Sequence, residues 1–502
     1  MKKLKGIIAL ALGLCLMVIR LVRRTLMCGE RSNPRVVGTS HNMPKMYTTF
    51  SRIYDLICFS KTYAGGRMRF ALVGILLMAG WVSVAQAQSA ALPREAPETV
   101  GMSSERLARF DAMAADYVRK GRVAGVVALV LRGGHVVYES VHGTLDIATN
   151  LPMRSDAIFR IASQSKLVTS VAIMILVEKG QLLLADPVAR YIPAFESTTV
   201  ALVEDGSPRI VPAERPITIK DLLTHTAGIP GVDEIPQTLQ ARYAESSLDQ
   251  SPLNYLDEPI GVLVERLGGL PFVAHPGTRF DYGFSTDVLG AVIEQASSMK
   301  LDEFFRRRIF DPLDMHDTHF FLPVEKIARL AANHNPREGG GLTRASDDDN
   351  GWTGQGAFVR GPRRAFSGGG GLLSTVHDYA RLLQMLLNGG ELGGTRILSP
   401  ATVRLMTVNH VGDLYAKSLD YPGMGFGFNV EVKMDAAVGG YDVPVFASPG
   451  AFGWGGAAYT TFWVDPDEQL IGLFMAQLRP HTDDLSKKFG SIVYGAIVEP
   501  AR

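Results

Sequence analysis

Phe159-Arg-Ile-Ala-Ser-Gln-Ser-Lys-Leu-Val-Thr-Ser170 sets a serine and a lysine three residues apart at the head of a long apolar run. On a helix, positions i and i+3 share a face about one turn apart, so Ser163 and Lys166 meet through local geometry alone. Residues 167–177 are apolar nearly all round, the pattern of a helix buried inside a domain. The run ends at Glu178-Lys-Gly180, with a cation in the last turn and a glycine placed for a left-handed cap. A lysine carried into such a core loses solvation and becomes a candidate base. A serine beside it becomes a candidate nucleophile. The same S-x-x-K spacing recurs at Ser297 and Lys300, but Ser297 closes the apolar stretch 288–296 instead of opening one. That pair reads as a capping serine and a solvated lysine.

Upstream, residues 1–87 read as a leader with two apolar stretches, each preceded by basic residues. In the first, Lys2, Lys3 and Lys5 precede residues 6–19. At about 14 apolar residues it is short for a membrane span, which needs about 20. In the second, Arg67-Met-Arg69 precedes residues 70–84 and Ala85-Gln-Ala87. Those are the basic, apolar and A-x-A parts of a secretory signal, so cleavage is expected after Ala87, with Met68 an alternative initiator. The N-terminal segments are thus expected to engage the membrane or the export machinery. The protein is expected in the periplasm or secreted, and membrane-anchored if the first stretch is retained. All three cysteines (Cys15, Cys28, Cys58) lie in this leader, so no disulfide supports the remainder. The chain carries 51 Lys+Arg and 50 Asp+Glu; the leader holds 13 and 2 of these, which leaves 38 and 48. A net charge of −10 after the leader points away from nucleic acid as a partner.

Residues 88–502 are long enough for a large core and two lobes. Ser103-Ser-Glu-Arg106 opens an amphipathic helix reaching about Lys120. Residues 125–131 and 135–141 read as strands joined by the turn Arg132-Gly-Gly134. In Leu222-Leu-Thr-His-Thr-Ala-Gly228, His225 invites a catalytic reading, but the favoured one is a histidine bonding the backbone of a tight turn. Residues 229–275, polar and proline-spotted, read as a lid or a surface excursion, and residues 332–368 as irregular loops. Ser367-Gly-Gly-Gly-Gly-Leu-Leu-Ser374 lacks the G-K-[ST] of a phosphate loop and reads as close backbone packing before a helix at 377–387. Residues 425–432, 457–464 and 469–477 read as strands, with turn chemistry at Asp465-Pro-Asp-Glu468, and residues 486–497 as a final helix. Strands at both ends with helices between give an α/β (α+β) fold. One antiparallel sheet is built from residues 88–160 and about 400–502, with a mostly helical lobe at about 161–400. The histidines are scattered without ligand spacing, so neither a metal nor a cofactor is implied.

Three blocks now align. They are Phe159–Ser170, Phe280-Asp-Tyr-Gly-Phe-Ser-Thr-Asp-Val-Leu-Gly290, and Gly453-Trp-Gly-Gly-Ala-Ala-Tyr-Thr-Thr-Phe-Trp-Val-Asp465. In order and spacing they resemble the class C β-lactamase superfamily, which includes penicillin-binding D,D-peptidases and the family VIII carboxylesterases. Leu222–Gly228 and Gly371-Leu-Leu-Ser-Thr-Val-His-Asp-Tyr379 fit the same series, and the resemblance covers almost all of residues 95–500. It implies a β-lactamase/transpeptidase-like fold. It also implies Ser163 as nucleophile, Lys166 as its partner, and Tyr282 as the group that shuttles protons to and from serine and leaving group. The backbone N–H groups of Ser163 and Ala457 match the family's oxyanion hole. Its third motif, usually K-T-G or H-T-G, falls at Trp454-Gly455-Gly456. A phenol is a poor base alone, and a lysine beside it brings it into use. Gly455 and Gly456 are expected to leave room where an acyl group approaches a strand.

Two departures bear on the substrate. β-Lactamases carry Tyr-x-Asn where this chain has Phe284, and a lysine where it has Trp454. Both replacements remove groups that help hold the amide and carboxylate of a β-lactam, and they enlarge the apolar wall. The expected substrate is a small-molecule uncharged ester, cleaved through a Ser163 acyl-enzyme by a secreted serine carboxylesterase. Trp-Gly-Gly also occurs in family VIII esterases and some related acyltransferases. No G-x-S-x-G surrounds Ser163, so an α/β-hydrolase elbow is not supported. The alternatives are a β-lactamase or D,D-peptidase, an acyltransferase, and a non-turnover acyl-binding sensor tethered by the leader.

Overall fold

The computed structural model describes residues 91–204, 207–249, 253–351, 353–481 and 483–501. The leader, with both apolar stretches and the expected cleavage site, lies outside the described residues. The largest element is an eight-stranded sheet. Its strands are β1 (Gly125–Arg132), β2 (His135–Asp146), β3 (Leu151–Pro152), β4 (Met424–Phe426), β5 (Glu431–Lys433), β6 (Phe452–Gly456), β7 (Thr460–Asp465) and β8 (Leu470–Ala476). The spatial order is β4-β5-β6-β7-β8-β1-β2-β3, antiparallel throughout. The two ends of the chain meet where β8 pairs with β1, from Val126 opposite Ala476 to Arg132 opposite Leu470. The sheet is therefore built from both chain ends, as expected. In the β1–β2 turn Gly133 and Gly134 both take positive φ, the backbone that a tight two-residue hairpin demands.

Every residue of β1 is buried, because both faces of the sheet are covered. Val126, Ala128 and Val130 pack with Phe110, Tyr117, Phe474 and Phe489. These rings come partly from helices α1 (Arg109–Arg119) and α5 (Leu485–Gly495). Val127, Leu129 and Leu131 face the main core of the helical body. Alternation with period two thus feeds two cores from one strand. Each fully buried large apolar side chain contributes about 1.5–3 kcal/mol.

At the centre of the helical body is α2 (Ser165–Glu178), in which residues 165–176 are all buried. It packs against α3 (Ser285–Ser297), while α4 (Val376–Leu387) packs on β8. Ser297 ends α3 with its hydroxyl on the Ile293 carbonyl (2.6 Å), and Lys300 reaches Glu294 (3.4 Å). That second serine–lysine pair is structural, as read.

Several elements differ from expectation. Residues 425–432 form not one strand but β4 and the start of β5, joined by a tight turn in which Asn429 takes φ 61°. The chain also turns between Gly456 and Thr460, so the strand read at 457–464 begins only at Thr460, as β7, and Trp454-Gly455-Gly456 lies on a separate strand, β6. Residues 229–275 hold two helices, Gln237–Glu245 and Ile260–Gly268. They bury Leu239 and Tyr243, and Ile260, Leu263, Val264 and Leu267, at helical spacing. Pro236 and Pro259 stand at the helix starts, where a missing N–H costs nothing, so they begin these helices and do not break them. Among the described residues of 332–368, the only strands are those of the short hairpin of His334–Pro336 with Leu342–Arg344. Among the described residues, no helix is long and apolar enough to cross a membrane.

Candidate active site

The serine is presented by a break in regularity. Phe159–Arg160 pairs with Leu373–Ser374, and then Ala162 takes φ 46°, a left-handed conformation that a residue with a Cβ rarely adopts. A single 3-10 turn, Ala162–Gln164, follows, and α2 begins at Ser165. Ser163 therefore sits on the turn before the helix and Lys166 in its first turn. In 3-10 geometry i and i+3 eclipse each other, so the pairing inferred for an α-helix holds here by a tighter route.

Lys166 is 5% exposed. Its Nζ donates to Ser163 Oγ (3.2 Å) and to the Gly369 carbonyl (2.6 Å). The glycine-rich stretch is thus a seat for the lysine as well as a packing surface. The seat is braced by Asp287 on α3, which accepts from Ser367 Oγ (2.6 Å) and from the Gly369 N–H (3.2 Å). Burial pushes the Asp287 carboxyl up, opposed by the Ser367 hydroxyl, the Lys166 charge and the Gly369 N–H.

Tyr282 completes the group. Lys166 Nζ lies 4.6 Å from its ring centroid. Its hydroxyl accepts a hydrogen bond from Trp454 Nε1 (3.1 Å), and the two rings lie 5.4 Å apart. Trp454 is therefore more than an apolar wall: it supplies a neutral donor to the phenol. Phe284, at the head of α3, is buried in the main core.

The strand glycines serve internal packing. A side chain at Gly456 would lie 2.3 Å from the Ile161 carbonyl, and one at Gly455 would lie 2.6 Å from both carboxylate oxygens of Asp442. No room is left beside either glycine in the direction a Cβ would point. The absence of a Cβ lets β6 close onto the serine's turn and onto Asp442. Ala457 is half-buried in the turn that follows β6.

Residues not singled out from sequence hold this turn in place. Arg160, 2% exposed, donates to the Gln355 (2.8 Å) and Ala331 (2.6 Å) carbonyls and to Gln477 Oε1 (3.3 Å). Burial pulls its guanidinium below the usual range. Gln477 Oε1 also accepts the Arg160 N–H (3.0 Å), and its Nε2 reaches the Arg160 carbonyl (3.2 Å) and the Ala458 carbonyl (3.5 Å). This glutamine ties the strand entering Ser163 to the turn leaving β6. His225, read from the sequence as bonding the backbone, is fully buried, and its ring hydrogen-bonds Asn429 Oδ1 instead, through Nε2 (2.9 Å). Burial, assisted by the Lys166 charge, drives its pKa down to about 3, so it is a neutral imidazole.

The sequence matches the family profile described as Beta-lactamase over residues 110–493. It is 34% identical over 391 residues to an uncharacterized protein of Mycobacterium tuberculosis, covering 75% of this chain and 90% of that one. It is 30% identical over 403 residues to the lovastatin esterase of Penicillium rubens, covering 74% of this chain and 95% of that one. Among solved structures it is similar to EstCE1, described as a hydrolase with promiscuous acyltransferase activity. That match has a TM-score of 0.65 and 27% identity and covers 78% of this chain and 99% of that one.

Proposed function

The chain belongs to the β-lactamase family, and on that premise we propose that it is a serine carboxylesterase acting on uncharged esters outside the cytoplasm. In the proposed cycle Ser163 Oγ attacks the ester carbonyl carbon as its proton passes to the Lys166/Tyr282 pair. The oxyanion is held by the backbone N–H groups of Ser163 and Ala457, donors worth roughly 3–4 kcal/mol each in comparable enzymes. Collapse breaks the carbon–oxygen bond to the alcohol, which leaves with the proton held by the pair. Water then repeats the sequence on the acyl-enzyme, releasing the acid and free Ser163.

The observation that carries the ester reading is the hydrogen bond from Trp454 Nε1 to the Tyr282 hydroxyl (3.1 Å). Where β-lactamases of this family carry a lysine, this chain puts a neutral donor already engaged with its own tyrosine. A lactam carboxylate finds no cation there, whereas a neutral ester needs none. The esterase relative and the hydrolase structure support the same reading. Acyl transfer is the second reading, supported by the acyltransferase activity ascribed to EstCE1, and it differs only in whether an alcohol or water takes the acyl group.

The test is steady-state hydrolysis of p-nitrophenyl butyrate beside a chromogenic cephalosporin, with Ser163→Ala as control. Ester turnover that disappears in the variant, with slow or absent lactam cleavage, is expected. Fast lactam cleavage would overturn the argument from Trp454 and Phe284. Added butanol, with butyl butyrate measured as product, separates transfer from hydrolysis. The export proposal rests on the basic and apolar pattern of residues 1–87. It predicts that the N-terminus of the exported protein is Gln88.

A further inference from the structure

His225 lies two residues beyond the short helix Ile219–Leu223, with its backbone at φ 53°. Its imidazole packs against the Tyr282 ring, centroids 4.7 Å apart and planes inclined by 39°. Its carbonyl accepts the N–H of Asp281 (2.8 Å), the residue just before Tyr282. The tyrosine is thus held at its ring and, one residue upstream, at its backbone by the same histidine. The remaining ring neighbours are Trp454, at 5.4 Å, and Lys166 Nζ, at 4.6 Å from the centroid.

The histidine is itself fixed by a buried polar network. Asn429 Oδ1 accepts from His225 Nε2 (2.9 Å) and from Thr286 Oγ1 (3.0 Å), while Asn429 Nδ2 donates to Ser170 Oγ (2.8 Å). An amide oxygen only accepts, so Nε2 carries the imidazole proton. The other nitrogen, Nδ1, is buried without a hydrogen-bond partner. Ser170 belongs to α2, one turn beyond Lys166, and Thr286 to α3, next to Asp287. The asparagine at the β4–β5 turn therefore joins both helices that seat the lysine to the ring behind the tyrosine.

We infer that His225 is a positioning residue for Tyr282: its ring, clamped by Asn429, sets the plane and reach of the phenol over Lys166 and Ser163. This rests on the reading of Tyr282 as the proton-transfer group. A phenol turns about its Cα–Cβ bond unless something packs on its face, and misplacement of a proton-transfer group by about 1 Å costs on the order of 10²-fold in rate.

The experiment compares kcat, KM and melting temperature for p-nitrophenyl butyrate in the native protein, His225→Ala, His225→Phe, His225→Asn, Tyr282→Phe and His225→Ala/Tyr282→Phe. His225→Ala is expected to lower kcat on the order of 10²-fold with KM within about threefold. His225→Phe, which keeps the ring, regains most of the rate. In the Tyr282→Phe background, His225→Ala has no further effect. The inference is overturned if His225→Ala keeps native kcat, or if it lowers kcat by the same factor in both backgrounds, as a merely structural residue would. Where His225→Ala does not fold, the other two variants decide. An active phenylalanine and an impaired asparagine support the ring's role, and the reverse order overturns it. Native protein without ester turnover would instead overturn the esterase reading, and this inference with it.

Discussion

Replacing Trp454 by phenylalanine removes one donor, Nε1–H, and leaves most of an aromatic ring in place. The donor meets the Tyr282 hydroxyl at 3.1 Å, and Trp454 is only 7% exposed, so bulk water does not take its place. In the resting state the bond goes to a neutral phenol and is worth about 1 kcal/mol; to a phenol giving up its proton it is worth about 1.5–3 kcal/mol. Only the difference, about 0.5–2 kcal/mol, acts on the barrier, because catalysis is differential binding. That converts to a loss in kcat of roughly 2- to 30-fold. The smaller ring also leaves a void against Phe426 and Tyr415, which now lie 5.3 and 6.4 Å from the indole. A stability loss on the order of 1–2 kcal/mol is expected from that void. The assay is kcat and KM for p-nitrophenyl butyrate from pH 5 to 10, with calorimetric unfolding on the same samples. A Trp454→Phe protein with native kcat would refute the reasoning, whatever its melting temperature. A loss confined to KM would refute it too, since the donor would then serve substrate binding and not Tyr282.

Three further substitutions probe other parts of the molecule. Gly456→Ala forces a Cβ to within 2.3 Å of the Ile161 carbonyl, so β6 withdraws from the serine's turn; a fall in kcat on the order of 10²-fold is expected in the same ester assay, and a native rate would show that the turn yields freely. Arg160→Lys cannot serve the Gln355, Ala331 and Gln477 acceptors together. It should cost on the order of 2–4 kcal/mol in urea unfolding, and a change within about 0.5 kcal/mol would deny the guanidinium its bracing role. Asp378, whose carboxylate accepts from the Asp317 N–H (2.7 Å) and Thr318 Oγ1 (2.9 Å), has its pKa raised by burial from 3.8 to about 6. A raised carboxyl means that the folded state holds the proton longer than the unfolded chain. Its contribution is therefore full below the unfolded pKa and falls as pH rises to about 6, by roughly 3 kcal/mol in all. Asp378→Asn should remove that slope from the stability–pH curve, and an unchanged slope between those limits would contradict the assignment.

What the sequence made legible divides along one physical line. Ser163 and Lys166 are three residues apart, and a single turn of chain brings them together, so their pairing was readable before any fold was known. The apolar runs of β1 and β8 and the glycine turn at 133–134 are local in the same sense. The prolines at 236 and 259 misled because a proline at a helix start and one in a loop look alike until the apolar spacing behind them is weighed. The polar groups that brace the site are of another kind. Arg160 and Gln477 are separated by 317 positions, His225 and Asn429 by 204, and Lys166 and Gly369 by 203. An arginine next to a strand, or an asparagine in a turn, is by default solvated. Nothing within a window of helix or strand length marks these as buried. Yet burial makes them decisive: an unpaired polar group inside the core costs about 1–3 kcal/mol, so each can be kept there only with its distant partner. The proposed reacting atoms come from a short segment plus one tyrosine, while their placement depends on pairs that the fold alone creates. Substitutions at Arg160, Gln477 and Asn429 should consequently disturb the rate and the melting temperature together. Substitutions at Ser163 should disturb the rate alone.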